Sequence, residues 1–233
     1  MNASPTNDPG RILVVGRSPS VLVDTIQILR SKGYSADATN QFDHVLDDYD
    51  AHDIGIVVFG GMVPAGTKEH LRQEIGERNA DVTFVQGFAG IAGLIAAQVE
   101  GVINAGGPDG SHVVYDQEQR SVHLTLHKAA RVAVEAWWHT SFTPPEPAST
   151  SMQVLDAELE AGSYSIALPA VVPSVASFLA VTIGSAIRTL TVGAMPRSVT
   201  GLVPTGGSPA SGSPSAGSQL PRVTEVNTRS HDQ

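Results

Sequence analysis

The chain of 233 residues contains no cysteine, which excludes disulfides, thiolate metal ligands and cysteine nucleophiles. Positive charge is also scarce, because 14 Lys and Arg residues stand against 23 Asp and Glu, a formal net charge of −9. Broad, unspecific binding to DNA or RNA needs a positive field around the phosphates, so we expect no nucleic-acid partner. Aromatic residues make up only 5%, but hydrophobic residues reach 41%, which is enough to build a buried core.

Charged residues are absent from one long internal stretch, residues 161–187, which is long enough to cross a bilayer. The stretch contains Pro169, Pro173 and Gly184, and its pattern favours two β-strands around a proline-rich turn over a membrane span. The first ten residues place no basic residue ahead of an apolar run, unlike a secretory signal peptide. We therefore expect a cytoplasmic protein with no membrane partner, and keep the span as the less favoured alternative.

Residues 11–107 alternate between strand-like and helix-like patterns. Ser18 and Pro19 are typical of an N-cap and a first helical residue, and apolar residues follow them at helical spacing. Asn40 is in the same way predicted to cap a second helix. Strands are predicted at 11–16, 34–39, 54–59, 82–85 and 102–104, and helices at 19–32, 41–49, 67–78 and 87–99. This alternation indicates a parallel sheet with helices on both faces.

From residue 108 onward the hydrophobic period changes from about 3.6 to about 2, the period of a half-buried strand. Short alternating segments recur at 121–127, 131–139, 163–168, 179–183 and 187–192. Short alternating strands with few helical signals predict an antiparallel β-sandwich.

The alternation also predicts how two of these strands pair. A loop at 128–130 would place Leu124 opposite Val134 and His123 opposite Glu135, with the apolar side chains on one face. A shift by one residue would turn every side chain to the other face, so this register is the one expected for a hairpin.

The last 38 residues contain 17 Gly, Pro or Ser, too little apolar surface to offset chain entropy. The predicted fold class is therefore α/β plus all-β. It comprises a disordered segment at 1–10, an α/β domain at 11–107, a β-sandwich at 108–195 and a disordered tail at 196–233.

Several motifs of the first domain resemble the receiver domain of two-component response regulators. They are Ile-Leu-Val-Val-Gly at 12–16, Gly-Tyr at 33–34, Asp-Ile-Gly-Ile-Val-Val at 53–58 and a displaced Met-Val-Pro at 62–64. The resemblance covers residues 11–104 as a hydrophobic skeleton and implies a flavodoxin-like fold. In the second domain, residues 159–164 resemble the turn and strand of immunoglobulin-like modules, which implies no particular ligand.

The residues that phosphorylate a receiver are missing. Gly16 and Arg17 stand where an acidic pair would hold Mg²⁺, an ion that prefers carboxylate oxygens. Phe59 and its neighbours replace the acceptor Asp, and Gln86 and Asn104 replace the Thr or Ser and the Lys. The resemblance therefore implies a degenerate, or pseudo-, receiver that is not phosphorylated.

A weaker resemblance, to short-chain dehydrogenases, is carried by Gly-Arg-Ser at 16–18 and Val-Phe-Gly-Gly-Met-Val at 58–63. The glycine-rich first turn that approaches a dinucleotide pyrophosphate is absent, and no Tyr-x-x-x-Lys follows. This alternative ranks below the pseudo-receiver, and no cofactor is predicted.

The ends of the first, third and fourth strands form a candidate ligand site, since open parallel sheets bind ligands at the carboxyl ends of their strands. Arg17 is the one cation expected there and would meet a small anion first. Alternatively, these residues only shape turns. The candidate residues are Arg17, Ser18, Gly60, Gly61, Gln86 and Gly87.

The glycine-rich segment 87–93 could cradle an anion at a helix N-terminus, or its small residues could let the helix pack tightly on the sheet. The packing interpretation is favoured, because the glycine spacing matches neither standard phosphate loop. The acidic run at 43–53 fits no calcium loop, and His123 and His127 lie about 13 Å apart on one strand. No metal site is predicted.

Trp137 lies on the polar face of its strand, which suggests that another surface covers it. With His123 and Glu135 it forms a candidate interaction surface; the cover could equally be the α/β domain or the tail.

Two functional hypotheses remain. The first is a non-catalytic regulatory or scaffolding protein that contacts another protein or itself. The second is a nucleotide- or anion-binding Rossmann-like enzyme whose site is the carboxyl edge of the parallel sheet.

Overall fold

The structure is a computed structural model that describes residues 9–105, 112–141, 147–193 and 224–228. Of the two segments predicted to be disordered, residues 1–8 of the segment 1–10 and most of the tail at 196–233 lie outside these described residues. The first part is a four-stranded parallel sheet in the order β2-β1-β3-β4. Its strands are β1 (Arg11–Val15), β2 (Ala36–Thr39), β3 (Ile54–Phe59) and β4 (Thr83–Gln86). Its helices are α1 (Pro19–Ser31), α2 (Val45–Asp48), α3 (Ala65–Arg78) and α4 (Ala92–Ile103).

The local signals around α1 work as the sequence predicts, with one difference. Ser18 occupies the N-cap position and Pro19 begins the helix, but the Ser18 hydroxyl makes no capping hydrogen bond. Leu22, Ile26 and Leu29 are buried against the sheet. The helix ends where Gly33 takes φ of +91°, a left-handed conformation that a glycine adopts without strain.

The helices cover both faces of the parallel sheet. α1 and α4 pack on one face, and α2 and α3 pack on the other. The predicted fifth strand at 102–104 is wrong, because residues 102 and 103 form the last turn of α4. A right-handed connection to a strand beyond β4 would need α4 on the face of α3. Since α4 lies beside α1, it does not lead to a further parallel strand, and β4 is the last strand of the sheet.

The second part consists of two antiparallel sheets, as the period of two predicts. One has the order β11-β10-β7-β8 and the other has the order β5-β6-β9. Apolar residues of both sheets meet in a single core. The strands are β5 (His112–Asp116), β6 (Ser121–Leu126), β7 (Ala130–Ser141), β8 (Ala148–Leu159), β9 (Gly162–Ala167), β10 (Ser177–Ile183) and β11 (Ala186–Val192).

The predicted hairpin between β6 and β7 is wrong. Leu124 of β6 pairs with Val113 and Tyr164, whereas Val134 of β7 pairs with Val181 and Leu155. The two strands belong to different sheets, and their apolar side chains face each other across the shared core. The alternation identified which side chains are buried, but an apolar face can meet its partner across a core as well as beside it.

The uncharged stretch 161–187 contains β9, an irregular segment, all of β10 and the start of β11, which agrees with the prediction of strands. Within the described parts of the chain, none of the helices combines the length and the apolar character that crossing a membrane requires.

Helix α4 joins the two parts of the molecule. Its apolar residues Ile95 and Val99 pack on the parallel sheet, and its residues Gly93 and Gly101 face the antiparallel sheet β11-β10-β7-β8. A Cβ on Gly93 would lie 2.0 Å from the Trp137 ring, and one on Gly101 would lie 2.8 Å from the Ile187 carbonyl oxygen. Both glycines are therefore required by close approach, and no larger residue fits without a shift.

Five residues from the segment predicted to be disordered, 224–228, pack against β2. Val226 is 8% exposed and joins the core between α1 and the sheet. For these five residues the prediction of disorder is wrong, and the rest of that segment lies outside the described residues.

Candidate functional site

The predicted site residues do come together at the carboxyl edge of the parallel sheet. The last residues of β1, β3 and β4 are in register, with Val15 beside Phe59 and Phe59 beside Gln86. Gly60 donates its N–H to the Val15 carbonyl and Gly87 donates to the Phe59 carbonyl, both at 2.8 Å. Arg17, Ser18, Gly60, Gly61, Gln86 and Gly87 all follow or end these strands.

Close backbone approach explains two of the glycines at this edge. A Cβ on Gly60 would lie 3.3 Å from the Gly16 Cα, and one on Gly87 would lie 3.3 Å from the Phe59 carbonyl oxygen. Gly61 has open space around it and meets no such restriction. Tight packing of neighbouring strand ends thus favours glycine at 60 and 87, without any ligand.

The side chain of Gln86 covers the edge. Its Nε2 donates to the Phe59 carbonyl at 2.9 Å and more weakly to the Gly87 carbonyl at 3.3 Å. Its Oε1 accepts a 3.0 Å hydrogen bond from the Lys68 ammonium. The amide therefore bridges two strand ends and the first turns of α3.

Lys68 corrects the expectation that Arg17 is the one cation at this edge. Burial lowers the pKa of Lys68, and the nearby Arg72 guanidinium lowers it further. Arg72 itself lies over the Phe59 ring, 5.2 Å from its centre. The missed signal was available in the sequence, since a helix following a strand end carries its first-turn residues to the same edge.

The glycine-rich segment 87–93 is not an open anion cradle. Helix α4 begins at Ala92, and the residues before it form a turn in which Ala89 and Gly90 have φ of 57° and 61°. The Phe88 N–H is already taken by the Gln98 Oε1 at 2.9 Å. The packing interpretation of this segment fits the contacts better than the anion interpretation.

The antiparallel sheets cover this segment. The Phe88 ring stacks on Phe178 of β10 with centres 6.4 Å apart, and Ile91 and Leu94 share a small core with Phe178 and Trp137. The face of Trp137 is thus covered by the α/β part of the chain, which was one of the alternatives left open. The buried Trp137 Nε1 has no hydrogen-bond partner among the described residues.

His139 lies beside Trp137 on the same strand and reaches the same turn. Burial lowers the pKa of His139, and hydrogen bonds to the backbone of Ala89 and Ala148 oppose this shift. The imidazole therefore joins the antiparallel sheet to the turn before α4.

The three residues of the predicted interaction surface do not come together. His123 is on β6 and Glu135 is on β7, and each lies on the side of its sheet opposite the shared core. They consequently face opposite sides of the two-sheet unit, with Trp137 on the side of Glu135.

A serine, a histidine and an aspartate do meet on the outer side of β6. The Ser121 Oγ lies 3.0 Å from the His123 Nε2, and the Asp116 Oδ2 lies 3.8 Å from the same nitrogen. A catalytic triad uses the two ring nitrogens separately, one for the serine and one for the carboxylate. Ser121 is also 3% exposed, so this group lacks the geometry and the access of a nucleophile.

The acidic run at 43–53 borders a surface depression of about 410 Å³ beside α2, which Asp47, Asp50, His52 and Arg78 help to line. Among the residues that the structure describes, no group of three or more His, Asp or Glu side chains is placed to hold a metal ion.

One buried charge lies in β2. Asp37 is 0% exposed and accepts from Arg11 Nη1 at 2.6 Å and from Arg30 Nη2 at 2.8 Å. Two guanidinium groups on one carboxylate connect β2 to β1 and α1, and these ion pairs stabilise the outer strand of the sheet.

Comparison with known proteins shows no family for this chain. No family model matches it, and no curated protein matches it. Among solved structures, a β-glucosidase from Listeria innocua in complex with isofagomine is similar at a TM-score of 0.29 and 10% sequence identity. That match covers 82% of this chain and 47% of the β-glucosidase chain, so the chain spans about half of its length. A similarity at this TM-score carries no argument about fold or activity.

Proposed function

We propose that the protein is a non-catalytic regulatory or scaffolding protein that acts through contact with another protein. Its α/β part is a flavodoxin-like pseudo-receiver that is not phosphorylated. The observation that carries this proposal is the carboxyl edge, where Gln86 bonds to Phe59 and Lys68. A ligand would have to displace contacts that the edge already makes with itself.

The strand order supports a flavodoxin-like relationship. The order β2-β1-β3-β4 is that of the first four strands of a flavodoxin-like sheet, 2-1-3-4-5. The departure lies after β4, where α4 packs beside α1. The strand that carries the lysine of a receiver is thus replaced by helix and turn at 102–104.

The residues at the phosphorylation positions support the absence of phosphoryl transfer. Gly16 is buried at the end of β1, and Phe59 is 0% exposed at the end of β3. Neither residue has a side-chain oxygen to bind Mg²⁺ or a nucleophilic side chain to accept a phosphoryl group.

The antiparallel part is proposed to serve as an immunoglobulin-like interaction module. The support is an analogy of architecture, since two antiparallel sheets around one core are common in interaction domains. Function has to be argued from sites, and the outer side of β6 that carries His123 is the surface available for such contact, since the side of Glu135 also carries Trp137, which the α/β part covers.

A thermal-shift experiment tests the proposal. The full chain is heated with nucleotides, dinucleotides, inorganic phosphate and Mg²⁺ with acetyl phosphate, each at millimolar concentration. A ligand present at 100 times its Kd would add about 2.7 kcal/mol to the native state and raise Tm by several degrees. We expect no shift, and mass spectrometry of the acetyl phosphate sample should show no added phosphoryl group.

Lys68 favours a second candidate, an anion-binding edge. Its side chain is partly buried beside Arg72, and both features lower the pKa of Lys68. An anion bound there would favour the charged ammonium and so oppose this shift. A rise in Tm with phosphate or a nucleotide that disappears in both Arg17→Ala and Lys68→Ala would replace the first proposal with this one. Arg78→Ala, on the far end of α3, is the matched control and should keep any such rise.

A further inference from the structure

Strand β2 is the outer strand of the parallel sheet, and residues 224–228 lie against its open side. Among the described residues, β2 pairs with β1 as its one strand neighbour. An outer strand presents free N–H and C=O groups and readily takes up another extended segment. Thr39 of β2 forms an antiparallel bridge with Asn227.

Backbone hydrogen bonds hold this segment as an added strand would be held. Thr228 donates its N–H to the Ala38 carbonyl at 3.1 Å, and Asn40 donates to the Val226 carbonyl at 3.1 Å. This is the geometry of β-augmentation, in which the main chain supplies affinity and side-chain contacts supply specificity.

Side chains of the sheet recognise the segment residue by residue. Asn40, expected to cap a helix, accepts from the Val226 N–H through Oδ1 at 2.9 Å and donates from Nδ2 to the Thr224 carbonyl at 2.8 Å. The helical region after it begins instead beyond Gln41. Asn40 is therefore an amide clamp on an extended backbone.

Both polar atoms of the Asn227 side-chain amide form hydrogen bonds with the α/β part of the chain. The Tyr49 hydroxyl donates to the Asn227 Oδ1 at 2.6 Å, and the Asn227 Nδ2 donates to the Asp48 carboxylate. Burial raises the pKa of Tyr49 to about 12, with the Asp37 charge as a smaller cause, so the phenol keeps the proton that it donates. The Thr228 Oγ1 accepts from the Ala38 N–H at 2.9 Å.

The contacts define a recognition pattern: an apolar residue that enters the core, then an amide, then a hydroxyl residue. The sequence adds charge complementarity, because Arg222 and Arg229 flank the segment and Asp48 belongs to the acidic run at 43–53. Residues 193–223, which separate the segment from β11, number 31, so the segment is a ligand tethered to its own site.

We propose that the β2 edge is a peptide-docking site, that residues 224–228 occupy it as an internal competitor, and that an extended partner segment with the pattern apolar–Asn–Thr and basic flanks displaces them. The inference rests on the proposed function in taking the partner to be a protein. A segment on the same chain as its site has an effective concentration on the order of millimolar, so the resident segment excludes a second copy at ordinary concentrations. A partner must therefore bind more tightly than this segment or meet a chain whose segment has been released.

A binding experiment on the full chain tests this. A fluorescent peptide with the sequence of residues 222–230 is titrated with the wild-type chain and with the double variant Val226→Asp, Asn227→Ala. We expect the double variant to bind the peptide at least tenfold more tightly than the wild type, because its own segment no longer competes. A peptide carrying the same two substitutions should not bind.

Two further variants locate the site. Adding Tyr49→Phe or Asn40→Ala to the double variant should weaken peptide binding at least fivefold, with circular dichroism confirming that each variant is folded. Equal affinity of wild type and double variant, or no binding by a folded double variant, would overturn the proposal. A concentration-dependent wild-type dimer that the double variant lacks would also overturn it, by showing that the occupant comes from a second copy.

The outcome is separate from the test of the proposed function. The thermal-shift screen probes the carboxyl edge and the peptide titration probes the β2 edge. A phosphate response that depends on Arg17 and Lys68 would remove the non-catalytic function and leave the docking site standing, and failure of the peptide titration would do the reverse.

Discussion

The carboxyl edge and the β2 edge of the same parallel sheet are built in opposite ways. The side-chain hydrogen bonds of Gln86 that cover the carboxyl edge join residues close in sequence, such as Lys68 with Gln86, 18 positions apart. Those that cover the β2 edge join distant residues, such as Tyr49 with Asn227, 178 positions apart. The sequence pattern pointed to the first edge and was silent about the second.

The difference teaches where an extended partner can act. The Gln86 contacts join β4 to α3, and the turn that follows before α4 packs against Phe178 and Trp137, side chains of folded strands that cannot leave without separating two parts of the molecule. The β2 edge is covered by five residues that can leave alone. Of the two edges, the β2 edge is therefore the one at which a partner segment can replace the residues that cover it.

The largest expected effect lies beneath the β2 edge, in β2 itself. Asp37→Ala should lower the free energy of unfolding by about 3 kcal/mol, because it leaves Arg11 and Arg30 without their buried partner. Urea unfolding measures the loss. Glu74→Ala, which removes the exposed partner of Arg78, is the control and should cost less than about 0.5 kcal/mol. Equal losses in the two variants would show that β2 does not depend on its charge pair.

The contact between α4 and β7, beside the carboxyl edge, should give the next largest effect. Gly93→Ala should destabilise the chain by about 2 kcal/mol, because the new Cβ meets the Trp137 ring at 2.0 Å. Gly76→Ala in α3 is a matched control with open space around it, and should stabilise by up to about 1 kcal/mol. Thermal unfolding of both variants decides the point, and a stabilised Gly93→Ala would mean that α4 and β7 are not in contact.

The cover of the β2 edge should matter less to stability. Val226→Ala should cost about 1.5 kcal/mol at most, the contribution of the two buried methyl groups that are lost. Hydrogen exchange should show faster exchange at the amides of Ala38 and Asn40, with the amides of β3 unchanged. Glu225→Ala, an exposed neighbour in the same segment, should leave both rates as they are. Slower exchange elsewhere without a change at Ala38 would argue against docking on β2.

The smallest effect is a pH dependence of the contact between β7 and the turn before α4. The pKa of His139 is lowered in the folded state, so the unfolded chain binds its proton more readily. The contribution of the neutral imidazole is present above pH of about 6.5 and is lost as the pH falls below that value. Tm measured from pH 8 to 5 should fall less steeply in His139→Gln than in the wild type, whereas His70→Gln, an exposed control, should keep the wild-type slope. Parallel slopes in all three chains would contradict a role for His139.

Local patterns predicted most of the elements for a physical reason. β1, β3 and α1 lie where apolar runs, Pro19 and Gly33 placed them, because each signal acts within a few residues. The end of α4 was missed because Val102 and Ile103 suit a strand or a helix equally, and packing beside α1 decided between them. Trp137 was expected to be covered, but its neighbour Gly93 is 44 positions away and no periodicity links them.

The candidate site divides in the same way. The approach of Arg17, Gly60 and Gln86 at one edge follows from parallel strands alone, whose carboxyl ends must coincide. The bond from Lys68 to Gln86, which covers that edge, required the position of α3. The site at β2 could not be predicted, because Asn40 and Tyr49 have ordinary local interpretations as a cap and a core residue.

The sequence by itself determined most of the strands and helices and the buried faces, since hydrophobic period is a local property of the chain. The tertiary structure decided to which sheets β6 and β7 belong. It also decided that α4 packs closely against an antiparallel sheet at Gly93 and Gly101, and that residues 224–228 pack against β2. Pairing between distant segments depends on complementary shape and on hydrogen-bonding groups left open by the rest of the fold, and these exist only once the chain has folded.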